Sequence, residues 1–266
     1  MNTIRLYIRS MGMLLKCHLQ YPASFFMQTL AQLVMEGGEM MAVILIMDRF
    51  ERLNQWMPGD LYFFFGTMSV TFYLTEIFGR GVTGNFPSMV RTGQLDTLLL
   101  RPRGILTQVL CSGTDPRRIT CIAVGTAAMA IGSRMSAVRW TLLKALALAE
   151  SFLMGGLLIL GLFLIEAIFC IHSVKSIELV NALTYGGRSA CNYPIDVYPR
   201  PLRVLFTVIA PFALTLHVPV AWILDKPLYG WPEWTVFVCP LAGAATFFIM
   251  VILFHRGIRY YRSTGS

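Results

Sequence analysis

Apolar and polar positions fall along this chain in long blocks. Apolar runs of roughly membrane-spanning length, about 20 residues, occupy 25–47, 61–78, 119–137, 142–171, 204–224 and 234–254. The polar stretches between them stay under the usual size of an independent domain. The pattern predicts an all-α integral membrane protein, a single transmembrane domain over 1–266 with six transmembrane helices. Ahead of the first run, residues 1–20 place Ile4, Tyr7, Ile8, Met11, Leu14 and Leu15 on one helical face and Arg5, Arg9 and Lys16 on the other. That spacing predicts an amphipathic helix lying on the membrane surface. A charged flank that merely sets orientation is the alternative.

Several runs carry polar groups. In the first, Glu36 and Glu39 bracket Gly37-Gly38. A carboxylate at the bilayer centre costs about 2.5–3.5 kcal/mol on insertion scales, and residues three apart share a helix face. Both should therefore point into the bundle, either lining a pathway or forming a structural pair that is protonated or matched by a basic residue elsewhere. In the second run Thr67, Thr71 and Thr75 make a hydroxyl stripe. Such hydroxyls bond to carbonyls of their own helix and favour helix packing, with substrate contact as the sharper alternative. The third run, rich in Ala and Gly, is the weakest insertion signal. The fourth carries Gly155, Gly156 and Gly161 for close packing. Pro211 and Pro219 should kink the fifth.

The polar segment 84–118 holds the stretch RTGQLDTLLLRPR, residues 91–103. Leu95, Leu98, Leu99 and Leu100 give it an apolar side among arginines. Pro102 stops any helix, because proline lacks an N–H and biases the preceding residue away from helix. A short basic, half-apolar helix at a membrane face suits docking to another protein. Asp115-Pro116 then signals a turn before Arg117 and Arg118. In the segment 172–203, residues 174–183 look partly amphipathic, Gly186-Gly187 should end that stretch, and Pro194, Pro199 and Pro201 stiffen the stretch YPIDVYPR.

Composition agrees with a membrane class. Hydrophobic residues make up 56% of the chain, charged residues 14%, and mean hydropathy is +0.62, whereas soluble domains carry about 25% charged residues. The net charge of +8 points to nucleic acid only until its placement is considered. Of the 22 basic residues, all but Arg49, Arg52, Arg134, Arg139, Lys144 and Lys226 fall on the side of the chain termini in a six-span topology. That bias places both termini, the segment 84–118 and the segment 172–203 in the cytoplasm. The six cysteines and four histidines show no spacing for zinc, haem or a disulfide framework. No cleavable leader is expected, since no A-x-A-like site comes after the first apolar run. The G-x-x-x-x-G-K-[ST], H-E-x-x-H and G-x-S-x-G patterns are absent, so no catalytic residues are assigned.

The stretch around residues 91–103 resembles the G-x-L-D-x-L-L-L-R-P signature of the ABC-2 type permeases, the six-span branch of bacterial ABC transporter membrane subunits. Residues 184–200, TYGGRSACNYPIDVYPR, resemble the same branch's GG…YPIxIY region. Gln94 departs from the glutamate more usual there, which removes a charge from the loop. The resemblance implies the membrane subunit of an exporter in the bacterial inner membrane, with both termini cytoplasmic. It would pair with a second permease, identical or similar, and with separate ATPase subunits. ATP and Mg²⁺ would sit on those partners, with no cofactor on this chain. It implies further that Arg91, Gly93, Leu95, Asp96, Leu98, Leu99, Arg101 and Pro102 form the coupling helix, leucines filling a cleft in the ATPase while Asp96 and Arg101 fix register. Tyr193, Pro194 and Asp196 would brace their loop, and an amphiphilic drug, peptide or lipid-like molecule would be the cargo. Two other classes stay open: an ion-coupled secondary transporter using Glu36 and Glu39, and a membrane scaffold without transport.

Overall fold

The computed structural model describes residues 3–50, 54–172, 177–228 and 231–261. Arg52, Val174, Lys175 and Arg262, all part of the sequence patterns above, lie outside them. Among the described residues the structure is all-helical. Helix α1 (Thr3–Leu19) precedes α2 (Pro22–Phe50) and α3 (Pro58–Arg80). Asp60, in the first turn of α3, accepts a hydrogen bond from the Met57 N–H at 2.9 Å, and Pro58 at the first position has no N–H to leave unsatisfied. A π-helical turn (Gly81–Asn85) continues α3 into α4 (Phe86–Arg91), and then come α5 (Gln94–Leu99) and α6 (Ile105–Leu110). Beyond them lie the long helices α7 (Arg118–Met135), α8 (Leu142–His172) and α9 (Ile177–Ala190). Two short helices, α10 (Arg200–Val204) and α11 (Val218–Ile223), lead to α12 (Thr235–Val238) and the long α13 (Leu241–Arg259).

Among the described residues, four helical stretches are long and apolar enough to cross a membrane: Pro22–Ile46, Pro58–Arg91, Leu142–Ile171 and Thr235–Arg259. Helix α7, expected as the third span, is not among them. It has 18 residues, an arginine near each end and many small side chains. Its place is secured by packing. Gly59 and Gly66 of α3 meet Gly132 and Gly125 of α7 in an antiparallel seam repeating every seven residues. A Cβ on Gly132 would stand 2.6 Å from the Gly59 carbonyl, and one on Gly66 would overlap the α7 backbone. Helices α8 and α13 run parallel, Met154 meeting Gly243 and Gly161 meeting Phe247.

These contacts define two faces. At one, α3 ends beside Arg118 and residues 81–118 fold over the bundle; we call this the loop face. Helix α1 lies against it, with Ser10 donating to the Cys111 carbonyl and Tyr7 to the Phe78 carbonyl. Its apolar side chains Ile8 and Leu15 stay exposed. The far face gathers Gly59, Ser136, Lys144, Asp225 and Lys226: Ser136 donates to Asp60 at 2.6 Å, Lys226 pairs with Asp60 at 2.8 Å, and Lys144 pairs with Asp225 at 2.7 Å.

The sequence expectation needs correction in the last third. The polar pattern predicts that the segment 172–203 stays on one side as a cytoplasmic loop. Instead α9 enters the bundle, and the chain reaches the far face, where the Trp56 indole N–H donates to both Asp196 oxygens at 3.0 Å. The expected fifth span, 204–224, is broken. Arg200–Ile209 and Ala213–Ile223 meet at 84°, with Ala210 out of the helical conformation (φ −123°, ψ 86°) before Pro211. Proline at 211 removes a helical N–H and disfavours helix in the residue before it. Both arms return to the far face: Arg203 and Thr207 share a cavity with Trp231, and the Ile223 carbonyl accepts from Lys144. Arg200 and Arg203 thus lie on the far face, and Arg188 inside the bundle.

Substituting Gly66 by Val should overpack the α3–α7 seam, at a cost of about 1–3 kcal/mol. Gly37, with nothing within 4 Å of a built Cβ, is the control. Thermal unfolding in detergent is expected to show a lowered midpoint for Gly66→Val and little change for Gly37→Val.

Candidate functional site

Two features stand out: the leucine-bearing loop and a chain of ion pairs beneath it. The loop is built on α3. Gly81 sits so close to the Val109 carbonyl that a Cβ would collide with it, and the Asn85 amide donates to the Ser112 carbonyl at 2.6 Å. After α4, Gly93 takes φ 70°, the left-handed conformation that ends a helix and suits glycine. Helix α5 comes next, and the Gln108 amide clamps its far end by donating to the Leu98 and Arg103 carbonyls at 3.1 and 3.0 Å.

The leucines separate by role. Leu95 is 0% exposed, packed in the core with Val90, Val109 and Phe86. It anchors the loop, which corrects the expectation that it faces a partner. Leu98 is half-buried against the same core. Leu99 is 40% exposed and Leu100 86%, beside exposed Arg91, Arg101, Pro102 and Arg103. Asp96 lies next to Tyr261 at the end of α13. A groove of ≈ 650 Å³ runs between Ser10 of α1 and Gln94, Leu98, Arg101 and Gln108.

Below the loop, charge is carried inward in pairs. Asp115, 1% exposed, pairs with Arg117 at 2.6 Å. Burial works to raise its carboxyl, but the hydrogen bond and charge of Arg117, with the charges of Arg118 and Arg80, hold it below the usual carboxylate range. Arg118 reaches Glu76 at 2.9 Å and Arg80 reaches it at 3.1 Å. Deeper, Arg188 pairs with Glu36 at 2.6 Å and with Glu39 at 3.1 Å. Ser69 donates to Glu36 at 2.6 Å, Tyr73 also donates to Glu36, and the Asn192 amide donates to Glu39 at 3.3 Å. The Tyr73 ring lies 4.6 Å from the Arg188 guanidinium carbon and 5.4 Å from that of Arg118, so one ring joins the two clusters through cation–π contact.

The carboxylates at 36 and 39 are thus matched by a basic residue, and α9 is tied to α2. Thr67, Thr71 and Thr75 donate to carbonyls four residues earlier at 2.7–2.8 Å; Thr71 and Thr75 lie against Gly155 and Gly156 of α8. Tyr193 packs against the cluster containing Trp56, Pro194 is buried beside it, and Asp196 holds the Trp56 indole. Sequence reasoning missed Tyr73 and Glu76, read Asp115 only as a turn signal and Arg118 only as a basic flank, and placed Arg188 in a loop. One signal was present: Glu76 lies near the end of an apolar run, four residues before Arg80, a helical pair spacing.

Several long apolar helices, held together by glycine seams and internally neutralised charges, define a multi-pass membrane protein. Compared with protein-family models, the chain matches that of the ABC-2 family transporter protein over residues 33–265, and it belongs to that family. Its members are membrane permeases of ABC transporters, normally non-catalytic, that generally work with an ABC ATPase. Comparisons with curated proteins and with solved structures returned no match.

Replacing Arg188 by Met leaves two carboxylates without their counter-charge. Losing one partner of a buried pair costs about 3–5 kcal/mol. A clear drop in thermal midpoint is expected, partly recovered in the Arg188→Met/Glu36→Gln double variant.

Proposed function

We propose that this chain is the permease subunit of an ATP-driven exporter and that the loop at residues 91–103 receives the work of a separate ATPase. The observation that carries this reading is the contrast across five residues, about a turn and a half: Leu95 wholly buried, Leu100 almost wholly exposed. A segment with Leu95 locked in the bundle and Leu99 and Leu100 offered to solvent can transmit a push. Leu99 and Leu100 enter a cleft on the ATPase, while Arg91, Arg101 and Arg103 meet its surface. ATP and Mg²⁺ are bound by that partner, and this chain supplies no catalytic group.

The path of transmission runs along the ion pairs. The loop hangs from the end of α3, where Glu76 holds Arg80 and Arg118. Tyr73 lies between Arg118 and Arg188, and Arg188 holds α2 through Glu36 and Glu39. Displacement of the loop therefore loads α3, α7, α9 and α2 together. Two permeases, identical or similar, shift about a path at their interface and move an amphiphilic molecule across the bacterial inner membrane. ATP binding can drive the shift because the ATPase holds the two arrangements with different affinity. The crossings are six: α2, α3, α7, α8, the stretch from α9 to Val197, and α12 with α13. The loop face and both termini are cytoplasmic. Engagement of Glu36 and Glu39 by Arg188, Ser69, Tyr73 and Asn192 favours a brace over carriers of a transported proton.

Aspartate at Leu99 or Leu100 is expected to abolish co-purification of the ATPase while leaving the thermal midpoint unchanged; an intact complex would overturn the docking assignment. Cysteines placed at Leu100 and Asp196 are expected to react with impermeant reagents from opposite sides of the membrane, Leu100 from the cytoplasm.

A further inference from the structure

The groove between α1 and the loop carries charge of one sign only. One face of α5 lines it: Gln94, Thr97, Leu98 and, just beyond the helix, Arg101 recur at the i, i+3, i+4, i+7 spacing. Arg103 and Cys111 continue the lining, and the Arg103 charge acts on the Cys111 thiol. Asp96 sits on another face of α5, beside Tyr261. Among the described residues no carboxylate lines the groove. Gln94 keeps it so, at a position where the signature more usually has glutamate. The side chains of Gln94, Thr97, Arg101 and Arg103 are all exposed. Among the described residues none of the four makes a hydrogen bond or ion pair, so their donors stand open to a ligand.

The groove also has a definite depth. Helix α1 exposes Ile8, Leu15 and Leu19, and α2, starting at Pro22, exposes Phe26, Met27 and Leu30 in its first turns. Apolar exposure thus continues from α1 into a helix long and apolar enough to cross a membrane. A basic amphipathic helix of this kind lies among lipid headgroups, its apolar side toward the acyl chains.

We propose that the groove holds the phosphate of an anionic phospholipid of the phosphatidylglycerol type. Arg101 and Arg103 donate to the phosphate oxygens, Gln94 and Thr97 supply further donors, and Met89 and Pro102 flank the glycerol. Guanidinium–phosphate hydrogen bonds are charge-assisted and among the strong ones. A headgroup ending in an ammonium meets two like charges and no carboxylate, so phosphatidylcholine is disfavoured. A soluble phosphate ester shares this chemistry; the position beside α1 selects the lipid. The site does not rest on the coupling reading. Where that reading holds, the same two arginines serve lipid and ATPase, with five N–H groups each.

The test uses the full chain in phosphatidylcholine vesicles without any ATPase, at raised ionic strength to screen diffuse surface attraction. Trace probes of phosphatidylglycerol and phosphatidylcholine carry a diazirine at the same carbon beside the glycerol. Mass spectrometry of the peptides containing Met89, Leu98 and Cys111 is expected to show the phosphatidylglycerol probe labelling about ten-fold more, the preference one charge-assisted hydrogen bond supplies. Gln94→Glu, which sets a carboxylate in the groove, should bring the ratio close to one, as should Arg101→Gln/Arg103→Gln. Arg91→Gln removes a charge from the same loop outside the groove and should keep the preference. Phe248 and Ile252, exposed on α13, should be labelled alike by both probes in every variant, which reports an intact fold. A ratio near one in the unaltered protein would overturn the proposal. So would an equal loss in Arg91→Gln, the mark of diffuse attraction. Removal of the preference by excess glycerol 3-phosphate would assign the groove to a soluble ester and overturn the lipid.

Discussion

A guanidinium stripped of water must find opposite charge within hydrogen-bonding reach, or it cannot remain in an apolar bundle. Arg188 meets that demand with Glu36 and Glu39 of α2 and the electron-rich faces of Tyr73 and Phe72. Everything else in the inner half of the bundle is placed around this requirement. Helix α9 has to come in from the loop side to deliver the arginine. Helix α2 has to present both carboxylates on one side. Ser69 and Tyr73 of α3 have to turn toward Glu36 and occupy its remaining lone pairs. The Glu76 cluster repeats the arrangement with the signs exchanged, a central carboxylate between Arg80 and Arg118.

Charge neutralisation explains how a poorly apolar helix such as α7 keeps its place. Its residues offer little to lipid, but Arg118 at its start is paired with Glu76, and its glycines let the α3 backbone come close. Attraction between helices in an apolar medium comes from packing and polar contacts rather than from expulsion of water. Helix α7 uses both, one at its end and one along its length. The broken segment after Val197 obeys the same rule. Its interrupted backbone lies in a protein-lined recess, where irregular chain is tolerated.

Much of this is legible in the sequence. The long apolar runs over α2, α3, α8 and α13, the helix at residues 3–19, the helix stop before Pro102 and the family signature all rest on local features, and these survive folding. The inward orientation of the carboxylates at 36 and 39 is legible too, since insertion energetics leave little choice. What is not legible is who meets whom. Arg188 looks like a loop cation because Gly186-Gly187 and the prolines beyond it suggest an end to helix, yet the structure carries helix through both glycines to Ala190. Pro211 suggests a kink within one crossing, because proline specifies a break and not the direction of the chain beyond it. Leu95 and Leu100 are chemically identical; only the fold of α6 against α4 buries one and exposes the other.

The clamp around Gly81, Asn85 and Gln108 has a mechanical consequence. A polypeptide loop tethered at its two ends absorbs a push by flexing, and little of the displacement reaches its anchor. Here the span from α4 to α6 is cross-braced at its base and at its tip and wedged into the bundle by Leu95. It has the compliance of a bracket rather than a strap, so a small movement at its outer edge arrives at the foot of α3 nearly undiminished.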